Sequence, residues 1–581
     1  MGTISDKLMR IINTKEDIRQ ALISKGYDVP TSIPFKEYAK MILDLPCKVD
    51  SFPDIEGIVA RYSASGLTNE QMAANPVWVD KTGNGHDIQL KNFSWKGMSG
   101  VGGYEMNFNL WRNNVSSIPD ISMSTTTTPV SVSVGNSTYN NNLIYIHISN
   151  WDINKNHWLK VTSTYEDGDL AFIFYNDSNT KKIGLPANGY VNILAYPEFK
   201  GSYMYISTIS NKQGSFTIEQ LPLYPGALVF DGVDDYGVCE NFPILTKEKG
   251  YTVVVLRQWI EEKNDSTALV SNCKNWNQDG AFLFEYNNLR INFLNAAISF
   301  GHVSSVDRGK SPFSYQTSKL YNGKNIKPGS FIGSNELVVG KGNKDFPTVS
   351  NAAIWEIVIL DHDATEEELT KIKDYFVKTY PWLFPDQAWT VVGKTNEDED
   401  RATIANITGN GNDLVLSNFG FAEGSGYNEE GEYAGYLVTD GVDDKITSST
   451  FEMGNDWTVI GDWELINTGK KDNAGIVKFD SIVIYNYNPI LINIKNGRNN
   501  LIPDQNTVNA ICSDGRIYSK DWKESIYNEE TESTSKNLLT IGYSGNSYTK
   551  IAFKNLAIYP TVLSREDCIK AYNYLQTLKA K

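Results

Sequence analysis

The chain has 581 residues, enough for roughly three or four domains, and 41% hydrophobic content lets each bury a core. Its formal net charge of −16 argues against a nucleic-acid partner or an anionic membrane surface, since both call for a basic face. No apolar run approaches the length of a membrane-spanning helix, so no membrane insertion is expected.

Residues 1–48 read as a helical segment. Ile4, Leu8, Ile11, Ile12, Ile18 and Leu22 recur at helical spacing. Ser32, just before Pro34, caps a second helix that carries Phe35, Tyr38 and Ile42. The charged opening is unlike a signal peptide. The five cysteines, Cys47, Cys239, Cys273, Cys512 and Cys568, are odd in number and form no CxxC pair, so free thiols made in a reducing cytosol are expected.

From residue 49 onward the chain repeats itself. LTNEQ from Leu67 returns as KTNED from Lys394, and TGNGHDIQLKNF from Thr82 as TGNGNDLVLSNF from Thr408. ALVFDGVDD, ending at Asp235, returns as YLVTDGVDD, ending at Asp444. AAIWEIVILDHDATEEELTKIKDYF from Ala352 matches IAFKNLAIYPTVLSREDCIKAYNYL from Ile551. TGNG is rich in residues that accept positive φ and predicts a tight turn, with a half-buried strand after it. Asp-Gly after a short apolar strand predicts a second turn. Thr365 with Glu368, and Ser564 with Asp567, predict the starts of two closing helices.

The spacing separates the copies. Thr408 to Asp440 is 32 positions and Thr82 to Asp231 is 149, so the first copy holds about 117 extra residues. They are placed at 104–222, in a stretch of short strands such as PVSVSV and DLAFIFY, long enough for a β-domain of its own. The expected division is therefore 1–48; 49–103 with 223–385; 104–222; and 386–581. Short strands separated by Gly and Asn turns make the fold class mainly β, with antiparallel sandwiches. In the insertion, Trp151, Trp158, Tyr165, Tyr203 and Tyr205 are candidate ligand contacts, against the alternative that they are core.

Little here has the form of a catalytic centre. The five histidines, His86, His147, His157, His302 and His362, have no metal-type spacing to one another or to cysteine. Asp231, Asp234 and Asp235, with Asp440, Asp443 and Asp444, offer oxygens of the kind calcium takes, or else bond their own turn backbone. No paired-carboxylate strand pattern, GxSxG, HExxH or phosphate loop occurs, so no enzyme and no other cofactor is expected.

The TGNGxDxxLxNF turn and strand, the FDGVDD strand and the last strand running into a capped helix together resemble laminin-G/concanavalin-like jelly-roll sandwiches, over 55–385 less the insertion and over 386–581. The N-terminal RIINTKEDIRQALISKG followed by IPFKEYAKMI resembles the attachment segment of fibre and appendage proteins of crAss-like phages of Bacteroides. The resemblance implies a virion structural protein on the particle exterior, a head or tail fibre or decoration component. It implies a homo-oligomer that docks to other virion proteins through its N-terminal helices and contacts host surface glycans. Fold alone also admits a glycan-binding surface adhesin or a glycan-active hydrolase.

Overall fold

The computed structural model describes Lys15 and residues 52–580, apart from 105–111, 114–120, 125–130, 138–141, 148–155, 176–179, 195–202, 209–213, 247, 262–266, 274–279, 286–310, 326–332, 432, 467–474, 480–481, 486–490, 495–497, 502–507, 520–521, 523, 527–537 and 545–546. The chain forms two compact units, Met1–Asp54 and Ile55–Lys581. Of the first, only Lys15, which is helical, and residues 52–54 are described. The predicted attachment residues Ile4, Leu8, Ile11, Ile12, Ile18, Leu22, Phe35, Tyr38 and Ile42 lie outside the described residues.

The second unit is mainly β and built from antiparallel sheets. In the first repeat, strand Asn351–Leu360 is the centre of an eight-stranded sheet. Thr252–Glu261 runs along one side of it, while Leu228–Asp231 and Ile58–Ser63 share the other side end to end. A six-stranded sheet faces this one, with Leu337–Val339 and Tyr236–Cys239 at its middle. Tyr62, Val253, Val255 and Ile357 from the first sheet share one core with Trp78, Ile88, Phe282 and Val339 from the second. Two sheets closed over one apolar layer make a sandwich. Strand Asn351–Leu360 is buried on both faces because helix Glu366–Thr379 lies over the sheet's outer side, where Phe376 meets the Phe313 ring and Tyr375 bonds Arg61 and Glu356.

The second repeat has the same strand order. Its central strand Ile551–Tyr559 pairs with Thr458–Leu465 on one side, and with Leu437–Val438 and Gln387–Thr390 on the other. The facing sheet again runs through the strand after the Asp turn, Lys445–Thr447, and among the described residues it ends in two further strands, Leu491–Ile494 and Arg498–Leu501. Trp389, Ile446, Ile541 and Leu556 lie in its core. Both closing helices form where their caps predict. Thr365 and Glu368 make a reciprocal capping box, and Ser564 accepts from the Asp567 backbone N–H at 3.1 Å. A short helix, Asn69–Ala74, starts at a further capping box between Thr68 and Gln71.

The copies part at one hairpin. In the second, Gly426–Tyr427 pairs with Leu437–Val438, and the chain turns between them. In the first, Gly100–Val101 pairs with Leu228–Asp231, and the ladder continues with Leu223 N–H donating to Gly103 O at 3.0 Å. The strands between, from Arg112–Asn113 to Gly214–Gln220, pair only with one another among the described residues, in two five-stranded sheets. Leu159, Val161, Phe172, Phe174, Ile206, Phe216 and Ile218 are buried there.

Candidate functional site

The Asp-Gly-Val-Asp-Asp loops hold the densest carboxylate clusters among the described residues. In each copy the three carboxylates bring an oxygen within 4.8 Å of one another. Gly232 and Gly441 take φ of 73° and 75°, where a side chain is strained, which explains glycine at the bend. Asp231 Oδ1 accepts from Val233 N–H at 2.8 Å, and Asp440 Oδ1 from Val442 N–H at 2.7 Å. The last Asp folds back under the strand. Asp235 accepts from Asp231 N–H at 3.1 Å and Ser99 Oγ at 3.0 Å, and Asp444 from Asp440 N–H at 2.8 Å and Ser425 Oγ at 3.1 Å. Asn92 and Asn418 each donate to the carbonyl of the middle Asp at 3.0 Å.

These bonds give the loop carboxylates a structural role. Two of three carboxylates in each cluster face N–H and O–H donors of the loop itself, which leaves the geometry of a self-capped turn. Burial pushes the Asp235 carboxyl up to about 7 and Asp444 up to about 6, although the backbone and serine bonds pull both down. Asp234 and Asp443 are exposed at the loop tip.

The TGNG turns are fastened in the same duplicated way. Thr82 N–H donates to Asp80 Oδ1 at 3.0 Å, and Thr408 N–H to Asn406 Oδ1 at 3.1 Å. Asp80 and Asn406 each receive from the first strand too, through Arg61 N–H and Ala388 N–H. Asn69 and Asn396, from the LTNEQ and KTNED motifs, clamp the Val101 and Tyr427 peptide groups with both amide atoms at 2.8–3.0 Å. Sequence reading finds these motifs but misses what the asparagines do. The signal is their fixed place in both copies, ahead of a strand that each clamps.

One contact beside the Asp turn is preserved by exchange. Lys341 Nζ lies over the Tyr236 ring at 4.1 Å. In the second copy the roles swap, with Lys445 Nζ 5.9 Å from the Tyr543 ring. The pair joins the strand after the Asp turn to the segment after the strand it pairs with, in both registers.

Of the five aromatic candidates, Tyr165 is the one whose side chain is described. Tyr165 is 4% exposed and continues the buried series Leu159, Val161 and Ser163, so it is a core residue and not a ligand contact. Trp151 lies outside the described residues. Trp158 is in strand Asn156–Ser163 of one sheet, in register with Asn192. Tyr203 and Tyr205 are in strand Tyr203–Thr208 of the other sheet. The side chains of these last three lie outside the described residues.

Cys239, Cys273, Cys512 and Cys568 are buried and form no disulfide among the described residues. No helix among the described residues is long and apolar enough to cross a membrane.

No family model matches the chain, and no curated protein matches it. Among solved structures, a Trypanosoma rangeli sialidase in complex with sialic acid aligns at 9% identity over 79% of this chain and 85% of its own, with a TM-score of 0.22. The tandem CBM22-1–CBM22-2 domain of Paenibacillus barcinonensis Xyn10C aligns at 11% identity over 46% of this chain and 99% of its own, with a TM-score of 0.15. Scores this low do not mark a shared fold, and the strand order above stands without them.

Proposed function

We propose that this chain is a non-enzymatic structural protein of a phage particle, a head or tail fibre or decoration component, whose inserted region contacts host surface glycans. The observation that carries the reading is the duplicated sandwich with its duplicated turn fastenings. Two copies of one strand order keep the same internal bonds and differ chiefly by what is carried at one hairpin. That is the pattern of a scaffold presenting a module, with contact chemistry in the part that is not repeated. In this reading both sandwiches are laminin-G/concanavalin-like jelly rolls, 104–222 is an inserted domain, and 1–48 is the docking and oligomerisation segment. The Asp triads serve folding.

The test is deletion of residues 1–48 followed by assembly. The truncated chain should stay folded and fail to enter particles, and normal incorporation would overturn the docking role. A glycan-active hydrolase is the competing reading. Release of reducing ends from a surface polysaccharide by the purified chain would replace a binding role with a catalytic one. A free surface adhesin would bind glycans equally but be absent from purified particles.

A further inference from the structure

Two thiols meet where the last helix docks on the second sandwich. Cys512 ends strand Val508–Cys512, and Cys568 sits in the first turn of helix Arg565–Thr577. Cys512 to Cys568 is 56 positions, yet the two side chains are hydrogen-bond partners, and both are fully buried. The junction is fastened around them. Leu563 N–H donates to Thr458 Oγ1 at 2.9 Å, Thr458 Oγ1 lies 3.7 Å from Cys512 Sγ, and Leu563 O lies 4.0 Å from Cys568 Sγ. Arg516 Nη2 donates to the same Leu563 O at 3.0 Å, so a guanidinium stands beside the pair.

The first repeat has this junction without the thiols. Ala364 N–H donates to Thr252 Oγ1 at 2.7 Å, as Leu563 N–H does to Thr458. Thr252 pairs with Thr317, and Thr458 with Cys512. Leu369 N–H donates to the carbonyl of the cap residue Thr365, and Cys568 N–H to that of Ser564. Thr317 and Leu369 of one copy therefore stand where Cys512 and Cys568 of the other meet. Thr and Leu close the junction in the twin, so packing alone does not call for two thiols.

The surroundings make the two sulfurs unlike. The Cys568 hydrogen bond, joined by the Thr458 hydroxyl and the Arg516 charge, lowers the Cys512 thiol despite its burial. The same bond and burial hold the Cys568 thiol well above its ordinary value. One sulfur is thus poised as a nucleophile and its neighbour keeps a proton, as in an attacking and a resolving cysteine. We propose that Cys512 and Cys568 are a modification site, oxidised by peroxide to a disulfide that staples the last helix to the second sandwich. The Cys512 thiolate attacks a peroxide oxygen, the O–O bond breaks, and a sulfenic acid forms. The hydroxide that leaves is neutralised by the proton Cys512 had released. The Cys568 sulfur then attacks the Cys512 sulfur, the S–S bond forms and the S–O bond breaks, and the departing hydroxide takes the Cys568 proton. The thiol pair loses two electrons, and one hydrogen peroxide becomes two waters. A water-sized oxidant reaches the pair by local opening of the helix's first turn, where Ser564 and Glu566 are exposed.

The experiment exposes the reduced, folded full-length chain to dilute hydrogen peroxide, quenches with catalase, unfolds it in iodoacetamide and maps peptides by mass spectrometry. A peptide cross-linked between Cys512 and Cys568 should appear, with Cys239 and Cys273 alkylated. The melting temperature should rise by several degrees and return with dithiothreitol, because the bridge restrains the unfolded chain. Cys568→Ser should stop at a Cys512 sulfenic acid that dimedone captures, while Cys512→Ser should leave Cys568 alkylatable. Cys512→Thr with Cys568→Leu, which copies the first repeat, should fold and melt at one temperature with or without peroxide. Parent thiols that both remain alkylatable after peroxide overturn the proposal. A cross-link that leaves the melt unmoved overturns the staple. Dimedone capture at Cys568 in place of Cys512 overturns the assigned roles.

Discussion

Asp235 and Asp444 do the same work in two places, and their chemistry makes a pH prediction. The unfolded carboxyl titrates near pH 4, while burial lifts folded Asp235 to about 7, so between these values the folded chain binds a proton that the unfolded chain has released. Stability from this group is therefore full below about pH 4 and lost as pH rises through about 7. Asp235→Asn keeps an acceptor for Asp231 N–H and offers an amide donor to Ser99 Oγ. Its melting temperature at about pH 8 should equal or exceed the parent's, with a flatter decline from about pH 4. Asp235→Ala should lose about 1–3 kcal/mol per orphaned group at any pH. Parallel pH–melting curves for parent and Asp235→Asn would sink the argument. The turn itself was legible, because Asp-Gly after an apolar strand is a local signal. Its outer fastenings were not, since Ser99 and Asn92 lie 136 and 142 positions away from their partners. Tyr165 misled for a related reason: an aromatic in a strand-rich stretch reads alike whether it faces solvent or core, and the buried residues before it decide the matter.

Elements fixed by short-range chemistry were readable, and those fixed by buried charge were not. The closing helices follow from Thr365 with Glu368 and Ser564 with Asp567, three residues apart in each case. The ion pair beneath the first of those helices joins residues 295 positions apart. Arg61 Nη2 meets Glu356 Oε2 at 3.1 Å with both side chains almost fully buried, and the Tyr380 hydroxyl donates to Glu356 Oε1 at 2.9 Å. Strand register assigns the corresponding second-copy positions to Ala388 and Asn555, so the same sheet closes there without a charge pair. A buried pair stabilises little over a well-packed neutral replacement, whereas removing one partner strands the other. Glu356→Ala should therefore cost about 3–5 kcal/mol in urea unfolding. Arg61→Ala with Glu356→Asn, which copies the second module, should cost much less than that single change. A double variant as damaged as Glu356→Ala would show that the charge pair is needed by this copy for reasons its twin does not share.

At the scale of the whole second unit, the last helix meets several parts of the chain. Lys570 Nζ lies 4.4 Å from the Trp382 ring, and Gln258 Nε2 donates to Thr577 Oγ1 at 2.8 Å across the two repeats. Arg565 lies 5.3 Å from the ring of Tyr190 in the inserted region. The repeats are thus joined through side chains and a connecting segment, while the insertion enters and leaves through one hairpin. Its entry and exit already pair at Gly103 and Leu223, so their separation matches what a tight turn spans. Replacing residues 104–222 with a short Asn-Gly turn keeps Pro225 O as the acceptor for the buried Trp355 indole N–H, 2.9 Å away. Loop-closure entropy varies slowly with length, and the Arg565–Tyr190 cation–π pairing that leaves with the insertion is worth about 0.5–1 kcal/mol. The shortened chain should accordingly fold, keep its β signal in circular dichroism, and unfold within about 1–2 kcal/mol of the remaining sandwiches in the parent. It should also lose glycan retention, because the inserted region is the proposed point of glycan contact. Precipitation or loss of the cooperative transition would mean that the first sandwich depends on the strands it carries, and that the repeat is not the self-sufficient scaffold its duplicated bonds describe.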